Sequence, residues 1–478
     1  MRKIIVLALM ALAMPQLMLQ NPAQAKVMLA PQPPKAQKPQ IPVIAHQRYT
    51  LANGLQVILV PDKSVPLVAV NVWYHVGSGD EVLTKSGFAH LFEHMMFQGA
   101  KHIGEDVHFN ILKKIGVSAV NGTTNTDRTN YFETVPSHQL ETALWLESDR
   151  MGYLLDLLNL KSLDNQREVV RNERRQRYDN VPYGKERFVM SALLYPEGHP
   201  YRYMTIGLHE DLANASLEDV RAFFQKWYVP ANATLCLAGD FEVPAAKKLI
   251  AKWFGTFPQS IAPPRQKVVT PVLTENKLET VPDSFARLRR LHYAWHTPAS
   301  YAQGDAELDL LANALGNAGT GRLYKTLVHE KQLASTVSVY QAGAQLSSTF
   351  NVVVELKPNA DLAQVQFLVE NELDAVMKGP ISQRERDRAV TEIETSFIWG
   401  LEDLMARAEV LQGYNHYLGA PDGIAKDLAR YRSASPGTIL QTAQDFLAKS
   451  KRVETLTMPA PAKVEPAPAA PTPMGGAK

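Results

Sequence analysis

Two apolar patterns alternate along this chain, and their order restricts its fold more than any other feature. Short apolar runs bounded by turn residues, at 54–60 and 67–73, predict β-strands. Longer segments with helical spacing come after them and predict helices near residues 86–98, 104–114, 137–157 and 162–178. Strands and helices mixed in this way predict an α+β fold.

The second half of the chain repeats this plan. A strand-like run near 287–295 precedes a helical pattern at 305–315. The segment 261–264, which contains two consecutive prolines, has the composition of a domain boundary. The sequence therefore predicts two α+β domains of similar build, at residues 46–260 and 265–455, although no residue-level repeat is visible.

The N-terminus is expected to lie outside these domains. Residues 2–3 are basic, residues 4–14 are apolar and residues 23–25 read Ala-Gln-Ala, which is the order of a secretory signal peptide cleaved after Ala25. A membrane anchor is the alternative, but Pro15 ends the apolar run well short of a bilayer span. The mature chain is therefore predicted to be exported to a bacterial periplasm without a stable membrane anchor.

Composition identifies further segments and excludes some partners. Residues 26–45, rich in Pro, Lys and Gln, predict a linker, and residues 456–478, rich in Pro and Ala, predict a disordered tail. Lys and Arg together number 50 and Asp and Glu 48, so no charge excess indicates nucleic acid as a partner. Cys236 is the single cysteine, which excludes an internal disulfide, and its apolar surroundings predict a buried core residue.

The motif that carries chemistry is His90, Glu93 and His94, inside a helical pattern that ends at Gly99. Histidines four residues apart share one helix face and can bind one metal ion. Glu93 is placed to accept a proton from a metal-bound water. The alternative is two ordinary helical histidines beside a glutamate, and a five-residue match does not decide between them. Burying three such groups in an apolar helix is costly unless something compensates them, which favours the metal site.

A catalytic zinc ion takes a third protein ligand and leaves one position for water. Glu173 is the best candidate because it shares a helix face with Val169 and Val170, which are expected to face the core. Glu168 points elsewhere and is better explained as a surface ion pair with Arg171. The alternative is that Glu173 is another surface carboxylate among arginines.

From about residue 46 to 450 the chain resembles the pitrilysin, insulin-degrading and mitochondrial-processing peptidases. The resemblance is most specific at 73–81, which reads WYHVGSGDE, and at 87–99, which contains the H-x-x-E-H motif. It implies two similar domains, each a mainly antiparallel sheet packed with helices, which together form half of a clamshell chamber.

The same resemblance implies a ligand set and a base. His90, His94 and Glu173 correspond to the residues that bind Zn²⁺ in the family, and Glu93 corresponds to its general base. Gln166 stands where the family pattern has a glutamate that supports catalysis, so the resemblance implies lower or altered activity here.

A further segment, 121–132, resembles the family's substrate-binding strand. Taken alone it is a β-rich stretch typical of an edge strand or hairpin. An edge strand beside a metal ion lets an extended peptide add by backbone hydrogen bonds, which favours peptide substrates with loose sequence preference. Asn121 and Thr123 are the predicted substrate contacts.

The resemblance also reveals a departure in the second half. Relatives carry a segment like L-R-E-x-x-x-L-x-Y whose Arg and Tyr reach the substrate, but Val328 and Ser335 occupy those positions here, with Tyr340 as a possible substitute. Half-sized members of the family pair, and in some pairs one chain holds zinc while the other supplies Arg and Tyr. We therefore predict a zinc endopeptidase subunit that pairs with a second family member, or otherwise with a copy of itself. The alternative function is a non-catalytic scaffold or peptide-binding subunit of the same fold.

Overall fold

The computed structural model describes residues 41–461 except 106, 118, 266 and 267. The strands of the first sheet are β1 (Gln47–Thr50), β2 (Gln56–Pro61), β3 (Leu67–Tyr74), β4 (Val120–Thr124), β5 (Thr129–Pro136) and β6 (Ala233–Gly239). Those of the second are β7 (Lys277–Asp283), β8 (Arg290–Thr297), β9 (Ala334–Ala342), β10 (Ser348–Leu356) and β11 (Val453–Pro459).

Helices follow the strands in both halves. In the first half they are α1 (Phe88–Met95), α2 (Val107–Lys114), α3 (Leu140–Leu157), α4 (Leu160–Arg174), α5 (Gly184–Leu194), α6 (His209–Ala213), α7 (Leu217–Trp227) and α8 (Val243–Phe254). In the second half they are α9 (Asp305–Gly316), α10 (Arg322–Tyr324), α11 (Leu362–Lys378), α12 (Gln383–Gly400), α13 (Leu404–Leu418), α14 (Ile424–Ser433) and α15 (Pro436–Phe446). A π-helical turn continues α4 over Arg175–Asp179, and another continues α10 over Lys325–Glu330.

The two sheets share one pairing pattern. The strand order is β1-β2-β6-β3-β5-β4 in the first sheet and β7-β11-β8-β10-β9 in the second. The pairs β2–β6 and β7–β11 are parallel, and the remaining pairs of both sheets are antiparallel. The predicted α+β fold, with two similarly built and mainly antiparallel sheets, is confirmed.

The central strands of the first sheet are apolar on both faces because both faces are covered. One face, with Leu59, Val70 and Leu235, packs into the large core formed with the helices of the first half. On the other face, Ala69 and Cys236 contact α13, a helix from the second half of the chain. Cys236 is fully buried, as expected. The second half therefore completes the core of the first sheet, which nothing in the spacing of the sequence indicates.

The predicted C-terminal tail is only partly confirmed, and the predicted N-terminal segments lie mostly outside the described residues. The tail predicted to begin at 456 begins later, because residues 456–459 complete β11 inside the second sheet. The alternation of buried and half-exposed residues over 453–458 is a strand signal that the nearby prolines obscured. The signal peptide, most of the linker and the tail from 462 lie outside the described residues. Across the part of the chain that is described, none of the helices has the length and apolar character needed to cross a bilayer.

Candidate metal centre and active site

Helix α1 is held at its start by two features of the preceding loop. Gly87 precedes the helix with a φ of 87°, a left-handed conformation that glycine adopts without steric cost. The Glu81 carboxylate accepts hydrogen bonds from the backbone N–H groups of Gly87 and Ala89, at 3.0 and 2.8 Å. A carboxylate at this end satisfies two free helix donors and complements the helix dipole.

The motif residues of α1 meet Glu173, which lies near the end of α4. The Nε2 atoms of His90 and His94 lie 3.6 and 3.3 Å from Glu173 Oε2. One ligand atom from each of the three residues lies within 4.8 Å of the others. The structure therefore brings Glu173 to the two histidines of α1, although more than seventy residues separate it from His94 in the chain.

The donor set fits a zinc ion. Two imidazole nitrogens and one carboxylate oxygen match the three protein ligands of a catalytic zinc site. Burial lowers the pKa of the His90 imidazole to about 4, with His94 acting in the same direction, so His90 is neutral at physiological pH. A neutral imidazole is the form that binds a metal ion.

Glu173 uses its two oxygens differently. Oε2 faces the two imidazoles, whereas Oε1 forms a salt bridge with Arg177 Nη1 at 2.8 Å. Burial raises the pKa of the Glu173 carboxyl, but the hydrogen bond with His94 and the electrostatic interactions with the neighbouring His90 and Arg177 side chains outweigh it, so the pKa lies below its usual value. The side chain is thus ionised and ready to bind a cation.

Glu93 lies beside this cluster and is held by the edge strand β4. Its side chain is buried, and Oε2 accepts a hydrogen bond of 2.6 Å from Thr124 Oγ1. Burial raises the pKa of the Glu93 carboxyl, and the Thr124 hydrogen bond opposes this rise. A Cβ atom at Gly122 would lie 3.0 Å from Glu93 Cγ, so glycine lets the strand approach the carboxylate closely.

A cavity of about 450 Å³ joins these groups to the edge strand. It is lined by the motif and ligand residues, by the stacked rings of Phe97 and Phe109, and by polar groups of β4 and α4. Asn121 and Thr123, the predicted substrate contacts, line it, as does the buried Gln166. Asn121 and Thr123 on β4 thus share one cavity with Glu93 on α1.

Val328 and Ser335, at the positions of the missing Arg/Tyr pair, and the candidate substitute Tyr340 all lie outside the His90 cavity. Val328 packs into the core of the second half, and the Ser335 hydroxyl donates to the backbone oxygen of Glu355 at 3.1 Å. Tyr340 lines a separate cavity of about 460 Å³ between β9, α9 and α12. Tyr340 therefore does not reach the His90 cavity within this chain.

The two valines expected to mark the core-facing side of α4 differ in burial. Val170 is fully buried, as expected, but Val169 is 40% exposed and does not mark the core-facing side. Glu168 pairs with Arg171 on the surface, as predicted. Helical spacing does not predict the roles of Glu81 and Thr124 at the site. For Glu81, an acidic residue just ahead of a helix start is a usable signal, whereas nothing in the spacing indicates that Thr124 contacts Glu93.

Comparison with known proteins identifies the family to which this sequence and fold belong. Residues 56–195 match the family described as Insulinase (Peptidase family M16), and residues 214–393 match the Peptidase M16 inactive domain. The zinc protease PqqE of Helicobacter pylori is 32% identical over 368 residues, covering 75% of this chain and 80% of that protein. This chain belongs to the insulinase family of peptidases. The zinc protease YmxG of Bacillus subtilis, described as uncharacterized, is 24% identical over 366 residues, covering 74% of this chain and 84% of that protein.

Solved structures share the same insulinase-family fold. A protease from Helicobacter pylori superposes with a TM-score of 0.82 at 28% identity, covering 87% of this chain and 100% of the other. The periplasmic protease PqqL from Escherichia coli has a TM-score of 0.72 at 18% identity, and the match covers 87% of this chain and 48% of that one. The similarity to PqqL concerns the fold alone. Relatives named as zinc proteases are consistent with Zn²⁺ as the cofactor.

The second half carries the fold without the motif. Helices α1 and α9 both begin after a glycine in the left-handed conformation, Gly87 and Gly304. Aligned on these glycines, α9 has Glu307, Leu310 and Leu311 where α1 has its two histidines and glutamate. This agrees with the match of the second half to an inactive domain.

Proposed function

We propose that this chain is a zinc endopeptidase that hydrolyses peptides or unfolded polypeptide segments. The observation that carries the proposal is the convergence of His90, His94 and Glu173 within 4.8 Å, with Glu93 beside them in one cavity. His90, His94 and Glu173 are the proposed ligands. A zinc ion bound there would lower the pKa of a bound water and polarise the scissile carbonyl.

Glu93 is the proposed general base. Its carboxylate is held by Thr124 on one oxygen, which leaves the other oxygen, close to Gly122, directed to the cavity. In this position Glu93 accepts a proton from the attacking water and passes it to the nitrogen of the leaving amine. The buried setting strengthens these electrostatic interactions.

Strand β4 is the proposed binding edge for the peptide. It is the outermost strand of the first sheet, next to β5. Across the hairpin, the backbone N–H of Asn125 donates to the carbonyl oxygen of Arg128, and the N–H of Thr134 donates to the carbonyl oxygen of Ala119. In an antiparallel ladder such pairs alternate, so the backbone groups of Gly122, between them, point away from β5. A peptide adding as a strand would pair there, while Asn121 and Thr123 would contact it through their side chains.

Metal removal tests the proposal. We expect the purified mature chain to contain about one zinc per molecule. Dialysis against a chelator is expected to abolish cleavage of an unstructured reporter peptide, and added Zn²⁺ is expected to restore it. The measurement pairs metal analysis with a cleavage assay. Cleavage that persists in the zinc-free protein would contradict the proposal, and a folded protein that binds no zinc would favour a non-catalytic scaffold instead.

We further propose that the chain acts in a two-chain assembly, in which a second family member supplies an Arg/Tyr pair. Val328 and Ser335 at the expected positions, and the match to 48% of the longer PqqL chain, support this. The chain alone is expected to cleave slowly and to gain activity when mixed with a partner that carries the pair, because transition-state donors contribute about 10²–10³-fold. Strong activity from a chain that is monomeric by light scattering would contradict the heterodimer, and activity from a dimer of this chain would indicate self-pairing.

We propose that the chain is exported to the periplasm. The basic, apolar and Ala-Gln-Ala order of residues 2–25 supports a cleaved signal peptide and a periplasmic enzyme.

A further inference from the structure

Helix α13 reaches from the second half of the chain to the hairpin formed by β4 and β5. Oε1 of Glu409 accepts hydrogen bonds from the side-chain amides of Asn130 and Asn71, at 2.6 and 2.7 Å. Asn71 is 0% and Asn130 1% exposed. Buried amide donors have no access to bulk water, so this carboxylate is what satisfies them.

Asn130 links Glu409 to the edge strand by hydrogen bonds. Its Oδ1 accepts a hydrogen bond of 2.6 Å from Thr123 Oγ1 and one of 3.1 Å from Arg128 Nη1. Arg128 Nη1 also donates to the backbone oxygen of Thr123 at 2.9 Å. Thr123 on β4 is therefore connected to Glu409 on α13 through a single residue.

The tip of the same hairpin is held from the second half as well. Asp127 is buried, and its Oδ2 accepts hydrogen bonds from the backbone N–H of Gln345 at 2.9 Å and from the Tyr417 hydroxyl at 3.3 Å. Its Oδ1 accepts from the Tyr201 hydroxyl. Tyr417 lies on α13, so one helix contacts the hairpin both at its tip and along its length.

These contacts matter because β4 has a strand on one side only. An edge strand is positioned by its single neighbour and by the side chains that anchor it. Here the anchors come from α13 and from the loop at Gln345. The half of the chain that lacks the metal motif thus contributes, with β5, to positioning the edge strand.

We propose that Glu409 is a positioning residue that holds β4 in the register needed for peptide binding, acting through Asn130 and Thr123. The inference rests on the proposed function, because it assumes that the peptide adds to β4. Loss of the Glu409 carboxylate removes the acceptor of Asn130 Nδ2 and leaves Asn71 Nδ2 with only the weak sulfur acceptor of Met405 at 3.6 Å. A buried donor without a good acceptor destabilises the arrangement around it. The hairpin then gains mobility while the metal cluster on α1 and α4 stays in place.

The test compares Glu409→Ala, Glu409→Gln and the control Glu402→Ala, which removes an exposed carboxylate just ahead of α13. Glu409→Ala is expected to speed amide hydrogen exchange over residues 120–132 and to leave zinc content unchanged. It is also expected to raise KM about ten-fold, the effect of losing a hydrogen bond to a charged group, with little change in kcat. Glu409→Gln is expected to retain most of the wild-type behaviour, since its amide oxygen accepts both hydrogen bonds. Glu402→Ala is expected to match the wild type.

Unchanged exchange and unchanged KM in Glu409→Ala would overturn the inference, as would a fall in kcat that follows loss of zinc. If Glu409→Ala does not fold, Tyr417→Phe removes only the hydroxyl at Asp127 and is expected to speed exchange at 125–128. Failure of the proposed function can be distinguished from failure of the positioning role. A wild type that does not cleave peptides would leave the exchange result intact, whereas cleavage by the wild type with unaltered exchange in the variants would overturn the positioning role alone.

Discussion

Replacing Glu93 with glutamine is expected to lower kcat for peptide hydrolysis by about 10²–10⁴-fold, the contribution of a positioned general base. Glutamine has nearly the same shape, and its amide oxygen can accept the hydrogen bond that Thr124 donates to Glu93. It cannot take a proton from water at neutral pH. The defect is therefore expected in kcat, with KM close to the wild-type value. Steady-state kinetics on an unstructured reporter peptide provide the measurement.

The Glu93→Gln variant carries its own control for structure. Zinc content is expected to remain near that of the wild type, since the ligand atoms belong to His90, His94 and Glu173. The thermal unfolding midpoint is also expected to hold or rise, because the buried Glu93 carboxyl is replaced by a neutral group of equal size. Hydrolysis at the wild-type rate by this variant would remove Glu93 from the mechanism.

Replacing Glu173 with alanine is expected to weaken zinc binding by at least about 100-fold, more than the 10–100-fold that follows loss of a residue contacting a ligand. The two imidazoles of α1 then remain as the only protein donors identified in the described cluster. Arg177, whose guanidinium contacts Glu173 in the wild type, loses its carboxylate partner and adds an uncompensated positive charge near the imidazoles. Cleavage is expected to fall in parallel with zinc occupancy.

Glu168→Ala is the matched control for Glu173→Ala. It removes a carboxylate from the same helix, but one that is exposed and paired with Arg171. A surface pair of this kind contributes little to stability, so zinc affinity and activity are expected to stay at wild-type levels. Competition with a coloured chelator measures the affinity of both variants without any cleavage assay. Equal zinc affinity in Glu173→Ala and Glu168→Ala would show that the third ligand is another group.

The parts of the site that local geometry controls could be read from the sequence. His90, Glu93 and His94 share a helix whose repeat brings residues three and four apart onto one face, and no distant contact is needed for that. The strands and helices of both halves also follow from short apolar periods. The predicted tail boundary at 456 is wrong because residues 456–459, despite their proline-rich surroundings, continue β11 with its alternating burial.

The position of Glu173 could be predicted from the sequence only in part. Its helix could be predicted, and the face it shares with the buried Val170 indicated the correct side, although Val169 proved to be exposed. Its distance from His94 depends on how α4 packs against α1, which spacing within one helix does not describe. At the level of sequence, only the resemblance to a known family pairs Glu173 with His90 and His94.

What the sequence determined by itself is therefore the set of elements and the metal-binding face of α1, since both depend on contacts within a few residues. Only the tertiary structure decided that Thr124 holds Glu93 and that Glu409 holds the edge strand through Asn130. These contacts join residues 31 and 279 positions apart in the chain. No local period encodes such pairs, because they arise where the topology places β4 at the edge of its sheet and α13 across the opposite face.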